Sequence, residues 1–277
     1  MESAPTVCYR HPDRVTRLSC SDCGRNICAE CSRDAAVGQK CPECGGPGQR
    51  TRVITARSFS HADRRTTPLT LALIGIAVGV FVLGYVLPDF DTAEIRRRFS
   101  QQVGTPLESE WWRGITAMFL HGSAMHLAFN MWALWLFGPS LERRFGTVPF
   151  GALYLAAGLN GAALFAGVNP GPAAAVGASG AIFGLFGALL LNAYRQRHTR
   201  AGRAIFNQLI MLLGINLMLP FLVPNIAWEA HIGGLIAGFV IAFAWDRLPS
   251  HGPYLLLQRT IIALMVAATA LTILILV

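Results

Sequence analysis

The sequence predicts an all-α polytopic membrane protein with a small zinc-binding domain at its N-terminus, and three observations predict it. Of its 277 residues, 53% are hydrophobic and only 14% charged, against about 25% charged in an ordinary soluble domain. From residue 68 onward the chain repeatedly runs apolar for roughly 20 residues, the length a helix needs to cross a bilayer. All seven cysteines fall in the first 44 residues, where there is no apolar run. The expected organisation is a cytosolic zinc-binding domain over 1–44, a flexible basic linker over 45–67, and a membrane domain over 68–277.

The N-terminal ligand candidates form four pairs, each with a gap of two: Cys8 and His11, Cys20 and Cys23, Cys28 and Cys31, Cys41 and Cys44. That gap lets both side chains turn onto one ion from a tight knuckle, and thiolates with an imidazole suit the tetrahedral preference of zinc. Eight ligands make two closed sites with no position left for water, so two structural Zn2+ ions are expected, and no cofactor for catalysis. A disulfide framework would need an oxidising compartment and leaves His11 unused. The segment GGPGQRTRVITARSFSHADRRTT, from Gly45 to Thr67, has no apolar periodicity and reads as the linker.

Seven apolar stretches follow, about Leu69–Leu87, Ile115–Phe137, Val148–Val168, Ala173–Tyr194, Ala204–Val223, Ile226–Trp245 and Thr260–Val277. MESAPTVCYRHPDR lacks the apolar core of a secretory signal, which places the N-terminus in the cytosol. Thirteen arginines then flank the spans on the cytosolic side, among them Arg143, Arg144, Arg195 and Arg247, against Arg96, Arg97, Arg98 and Arg113 outside. The excess obeys the positive-inside rule and puts the C-terminus outside a cell membrane, with the first outer loop as a local exception. The net charge of +8 therefore reads as topology, with the lipid bilayer as the partner and no nucleic acid, because no aromatic-interleaved basic surface accompanies it.

In that orientation the second, fourth and sixth spans start at the same face, and their first halves hold six polar residues at one depth: His121, His126, Asn130, Ser179, Glu229 and His231. Such residues are costly in lipid and are functional candidates. With helices starting near Ala174 and Ile226, Ser179 and His231 each lie about 8 Å along, at one depth. Gly177, Gly180, Gly184 and Gly187 on one span and Ala230, Gly234 and Gly238 on the other form small-residue stripes that let two backbones approach closely. Ser179 and His231 border those stripes, and a serine beside a neutral histidine is an activated nucleophile with its base. His126 and Asn130 are four apart, on one helix face, where their donors can converge on a developing oxyanion.

These residues resemble the rhomboid family of intramembrane serine proteases. GASG at Gly177 to Gly180 is similar to its serine motif, AHIGG at Ala230 to Gly234 to its histidine motif, and FLHGSAMHLAFN at Phe119 to Asn130 to its second-span pattern. Trp112 with Arg113, and LERRFG at Leu141 to Gly146, extend the resemblance. It implies a six-helix core plus one C-terminal span, and a Ser179 and His231 dyad without a third acid, assisted by His126, Asn130 and the Ser179 backbone N–H. It also implies structural roles for His121, Arg113 and Glu142. Single-span membrane proteins would be the substrates, with the fifth span around Asn207 to Pro220 as their gate. The competing implication is a catalytically silent relative that escorts transmembrane clients. The cysteine spacing resembles a B-box or RING-like finger, which implies that Cys8 and His11 share an ion with Cys28 and Cys31, and Cys20 and Cys23 share one with Cys41 and Cys44. Three roles are open to the finger: binding a cytosolic protein, binding a substrate tail, or positioning the first span.

Overall fold

The computed structural model describes residues 6–34, 38–45, 66–86, 92–104, 110–169, 171–223, 226–249 and 252–276. The chain divides into two compact units, Met1–Arg64 and Arg65–Val277. Most of the expected linker falls on residues 46–65, outside the described residues.

The N-terminal unit is held by knuckles rather than by an apolar core. Backbone hydrogen bonds from His11 to Cys8, Gly24 to Cys20, Cys31 to Cys28 and Gly45 to Cys41 close four tight turns. A 3-10 turn at Ala29–Cys31 and a two-residue ladder, β1 (Arg33–Asp34) with β2 (Gln39–Lys40), are its regular elements. Apart from the cysteines, Ile27 is the one fully buried large apolar side chain among its described residues, which is too little to stabilise some 40 residues without cross-links or metal.

The second unit carries the apolar runs as seven long helices: α1 (Pro68–Val86), α4 (Ala124–Phe145), α5 (Thr147–Val168), α6 (Ser179–Arg195), α7 (Arg200–Leu222), α8 (Trp228–Trp245) and α9 (Leu255–Leu276). Between α1 and α4 lie the short helix α2 (Thr92–Phe99), the strand β3 (Gln101–Val103) and the turn α3 (Arg113–Thr116), which continues as a 3-10 turn to Phe119. Four of the helices, α5, α7, α8 and α9, are long and apolar enough to cross a membrane by length and composition alone, and α1 has a shorter apolar stretch. The all-α polytopic class is the one the sequence predicts.

Two span starts differ most from expectation. The second span was expected from Ile115, but α4 begins at Ala124, because extended Ser123 caps it by accepting the His126 N–H on its Oγ. The fourth was expected from Ala173. Instead Ala173–Ala175 is a strand, β4, paired antiparallel with β3, and Gly177 follows at φ +124, where no helix can continue. Three alanines are as apolar in a strand as in a helix, so hydropathy could not separate the two.

Association in lipid relies on close packing rather than on a hydrophobic force between helices, and the centre of the unit shows it. A Cβ built on Gly234 of α8 would lie 1.9 Å from the Gly180 carbonyl oxygen of α6, and one on Gly238 equally close to the Gly184 carbonyl. Only glycine permits that separation. Helix α5 packs on both, with Phe150, Leu153, Ala156 and Ala157 fully buried. Helix α7 is the outlier, attached to α6 mainly through Leu209 near Phe186 and Ala193, while Phe221 and Leu222 at its far end are exposed.

Polar ties fix the helix ends. The buried Glu142 carboxylate accepts the N–H groups of Leu69 and Thr70 and the hydroxyls of Thr70 and Thr147. It thus caps α1 and joins it to the end of α4, a use of an anion that the positive end of a helix favours. At the same face Arg195 pairs with Asp246 at 2.9 Å, joining the ends of α6 and α8.

Candidate active site

The opposite ends of α4, α6 and α8 converge. The β3–β4 ladder delivers the chain to Gly177, whose N–H donates to the Ala117 carbonyl at 2.8 Å, and α6 starts two residues later at Ser179. His231 lies in the first turn of α8, and its Nε2 is 2.9 Å from Ser179 Oγ. The His231 ring stacks on Phe183, with centroids 4.2 Å apart and planes 6° from parallel. Phe183 stands one turn after Ser179 on the same face, so one stretch of α6 supplies both the hydroxyl and the shelf that orients the imidazole.

Ser179 is therefore not about 8 Å inside its helix as expected, but at its first position. A helix start leaves its first N–H groups without intrahelical acceptors, so the Ser179 N–H is among the uncommitted ones. Nor does Gly177 belong to the small-residue stripe. A Cβ there would lie 2.7 Å from Cε1 and Nε2 of His126 and 3.7 Å from Nδ2 of Asn130, so its bare backbone lets both α4 side chains reach the segment preceding Ser179. Asn130 is buried and spends one amide hydrogen on the His126 carbonyl at 3.1 Å, leaving the other. The His121 ring meets the His126 ring edge-on at 5.1 Å.

Arg113, 4% exposed, organises the segment between α1 and α4 that leads to the site. Its Nε donates to Glu110 at 2.5 Å and its Nη1 to the carbonyls of Arg97 and Ser100 at the end of α2. Arg97 and Arg98 both pair with Glu94, whose carboxyl those hydrogen bonds hold below the usual carboxylate range. The arginine cluster that strains the positive-inside rule is thus partly neutralised within its own helix.

Behind Ser179 lies a cavity of about 40 Å³ lined by Gln101, Met118, Gly158, Ala162, Phe165 and Gly180 among others. Beside Ser179, Gln101 brings the one polar side chain in that lining, and its buried Oε1 has no hydrogen-bond partner among the described residues. Sequence reading missed Gln101 and Phe183. The second had a signal in its spacing of four from Ser179, whereas the first had none, because only the three-residue ladder carries it inward.

The comparisons bear on the same residues. Residues 108–247 match the Rhomboid domain family. The chain belongs to the rhomboid family. It is similar to the rhomboid protease GluP of Bacillus subtilis (strain 168), 45% identical over 147 residues that cover 53% of this chain and 28% of that protein. It is also similar to RHOMBOID-like protein 5 of Arabidopsis thaliana, 37% identical over 147 residues, 52% of this chain and 47% of that protein. The chain thus spans between about a quarter and a half of these relatives. Rhomboid proteins act within the membrane on transmembrane substrates, and the match includes Ser179, His231, His126 and Asn130 but neither the N-terminal cysteines nor α9.

The N-terminal ligand candidates form two groups, Cys8, His11, Cys28 and Cys31, and Cys20, Cys23, Cys41 and Cys44, each with its ligand atoms within 4.8 Å of one another. The Sγ atoms of Cys28 and Cys31 lie 3.4 Å from His11 Nδ1, and those of Cys23 and Cys41 are 3.8 Å apart. Zinc–sulfur bonds of about 2.3 Å in a tetrahedron place sulfurs about 3.8 Å apart, so both groups fit a metal ion. Backbone hydrogen bonds at Cys41 and Cys23 draw the Cys20 thiol down to about 6, while hydrogen bonds with Cys41 and Cys23 and burial push Cys44 up to about 12. In the other group burial raises the Cys8 thiol, but backbone hydrogen bonds from Arg10 and Cys28 outweigh it and leave it at about 6, while burial and neighbouring sulfurs push Cys31 up to about 11. Sulfurs so placed share protons, and a dication would take the protons' place.

Proposed function

We propose that this rhomboid is a serine endopeptidase that cleaves single-span membrane proteins in or beside their transmembrane segment, using Ser179 as nucleophile and His231 as general base. The observation that carries the reading is the 2.9 Å contact between His231 Nε2 and Ser179 Oγ, with the imidazole stacked on Phe183. His231 takes the Oγ proton as Oγ attacks the scissile carbonyl, and the carbonyl electrons move onto oxygen. The Ser179 N–H, the free amide hydrogen of Asn130 and the His126 ring N–H are the donors for that oxyanion. The tetrahedral intermediate collapses with cleavage of the C–N bond, His231 gives its proton to the leaving amine, and water repeats the sequence on the acyl-enzyme to release the new carboxylate. No step calls for a cofactor.

Exposure of the second half of α7 supports the fifth span as the gate. Two structural Zn2+ ions in the N-terminal unit, one in each ligand group, fit the donor set, and a cytosolic protein partner suits a finger on the N-terminal side. The excess of basic residues beside the spans supports a cell-membrane protein with its N-terminus in the cytosol and its C-terminus outside.

In proteoliposomes containing a single-span substrate, Ser179→Ala and His231→Ala are each expected to abolish cleavage, and a fluorophosphonate probe to label wild-type protein at Ser179. A folded wild-type protein that neither cleaves nor takes the probe would support the client-escorting alternative, and cleavage by Ser179→Ala would remove the nucleophile.

A further inference from the structure

The family match ends at residue 247, so it says nothing of α9. Yet α9 is built into the core. Ala263, Ala267, Ala270 and Leu274 are buried along one face of it, spaced as a helix stripe, and that face packs on α5. One polar side chain crosses the contact. Asn160 Nδ2 donates to the Ala156 carbonyl of its own helix at 2.9 Å and to the Val266 carbonyl of α9 at 3.0 Å, so both amide hydrogens are spent. Lipid beside the bundle offers no substitute acceptor.

The main chain of the same residue faces the other way. A Cβ on Gly233 of α8 would lie 2.5 Å from the Asn160 carbonyl oxygen, and one on neighbouring Gly161 would lie 2.7 Å from the Ala230 carbonyl oxygen. Ala230 and Gly233 bracket His231. Asn160 therefore touches α9 with its side chain and the His231 helix with its backbone, and contacts this close leave no slack between α5 and α8.

We infer that Asn160 is a positioning residue, which by tying α9 to α5 holds α5 in register against Ala230 and Gly233 and so keeps His231 at hydrogen-bond distance from Ser179. The seventh helix is then a working part of the catalytic core. The activity arm of the test rests on the proposed dyad, and the exchange arm does not.

In full-length protein, Asn160→Leu is expected to lower kcat and the rate of fluorophosphonate labelling together by about three- to tenfold with KM unchanged, the range an interhelical hydrogen bond in a membrane bundle is worth. Backbone amides over 228–234 should exchange with deuterium faster in the variant, whether or not the protein cleaves. Ala267→Leu, which wedges the α5 and α9 contact, should act alike and keeps the test open if Asn160→Leu fails to fold, and the double variant should be no worse than the poorer single one. Unchanged exchange over 228–234 in a folded variant overturns the inference, as does a rise in KM alone or an additive double variant. An inactive wild type, by contrast, counts against the dyad and leaves the exchange result to decide the role of Asn160.

Discussion

Replacing Gly234 with alanine tests whether the close approach of α6 and α8 is what brings the serine and histidine together. The added methyl would lie 1.9 Å from the Gly180 carbonyl oxygen, whereas real Cβ atoms essentially never come nearer than 3.0 Å, and the obstruction is backbone, not a side chain that can swing away. The two helices must therefore part by about 1.1 Å at a point one turn from His231, and a misplacement of about 1 Å at catalytic groups costs about 10²-fold in rate. If most of the shift falls along the Ser179 and His231 contact, its 2.9 Å becomes about 4 Å, beyond hydrogen-bond reach. Stability should suffer less than activity, because alanine in a helix interior is favoured over glycine by about 1 kcal/mol. Gly75→Ala is the control, since a methyl there meets nothing within 4 Å. The assay is cleavage of a single-span substrate in proteoliposomes, alongside thermal unfolding of both variants. A folded Gly234→Ala protein that cleaves at the wild-type rate would refute the reasoning, and so would an equal loss in Gly75→Ala.

Two further outcomes follow from other parts of the molecule. Glu142→Ala strands four donors, three of them on Leu69 and buried Thr70 in the first turn of α1, and should destabilise the membrane unit by about 3 kcal/mol, read as a drop in thermal midpoint in detergent; an unchanged midpoint would show the carboxylate to be dispensable. Metal analysis should find two zinc ions per chain, falling to one in Cys28→Ser and in Cys20→Ser while the membrane unit stays folded, and a wild-type content of one or none would break the two-site reading.

The residues of the candidate site were legible in the sequence because lipid makes polar residues conspicuous. Ser179, His231, His126 and Asn130 stand out among apolar neighbours, and the glycine stripes announce which helices approach. The placement of Ser179 was not legible. Hydropathy extends the fourth span back to Ala173, since neither AAA nor QQV carries a strand period long enough to be seen, and their pairing joins segments some 70 residues apart. For the same reason Gln101 was invisible as a cavity residue. The candidate metal ligands were the reverse case, because fixed two-residue gaps are a local property, and their grouping then depends only on which knuckles the short fold brings together.

The displaced helix start has chemical consequences. A serine 8 Å inside a membrane helix would have its N–H committed to the carbonyl four residues earlier, and its hydroxyl would have a nearby backbone carbonyl to bond instead of a base. At the first position of α6 the N–H is uncommitted, the positive end of the helix dipole lies beside it, and the hydroxyl reaches His231. The ladder that ends the apolar run early and the glycine at φ +124 are thus what give a small packing residue the placement that the proposed roles of nucleophile and oxyanion donor require. A substitution that let α6 extend backward through Gly177 would leave every side chain of the proposed dyad in the sequence and still remove the proposed donor, so the geometry of the candidate site depends on where the helix begins as much as on which residues it carries.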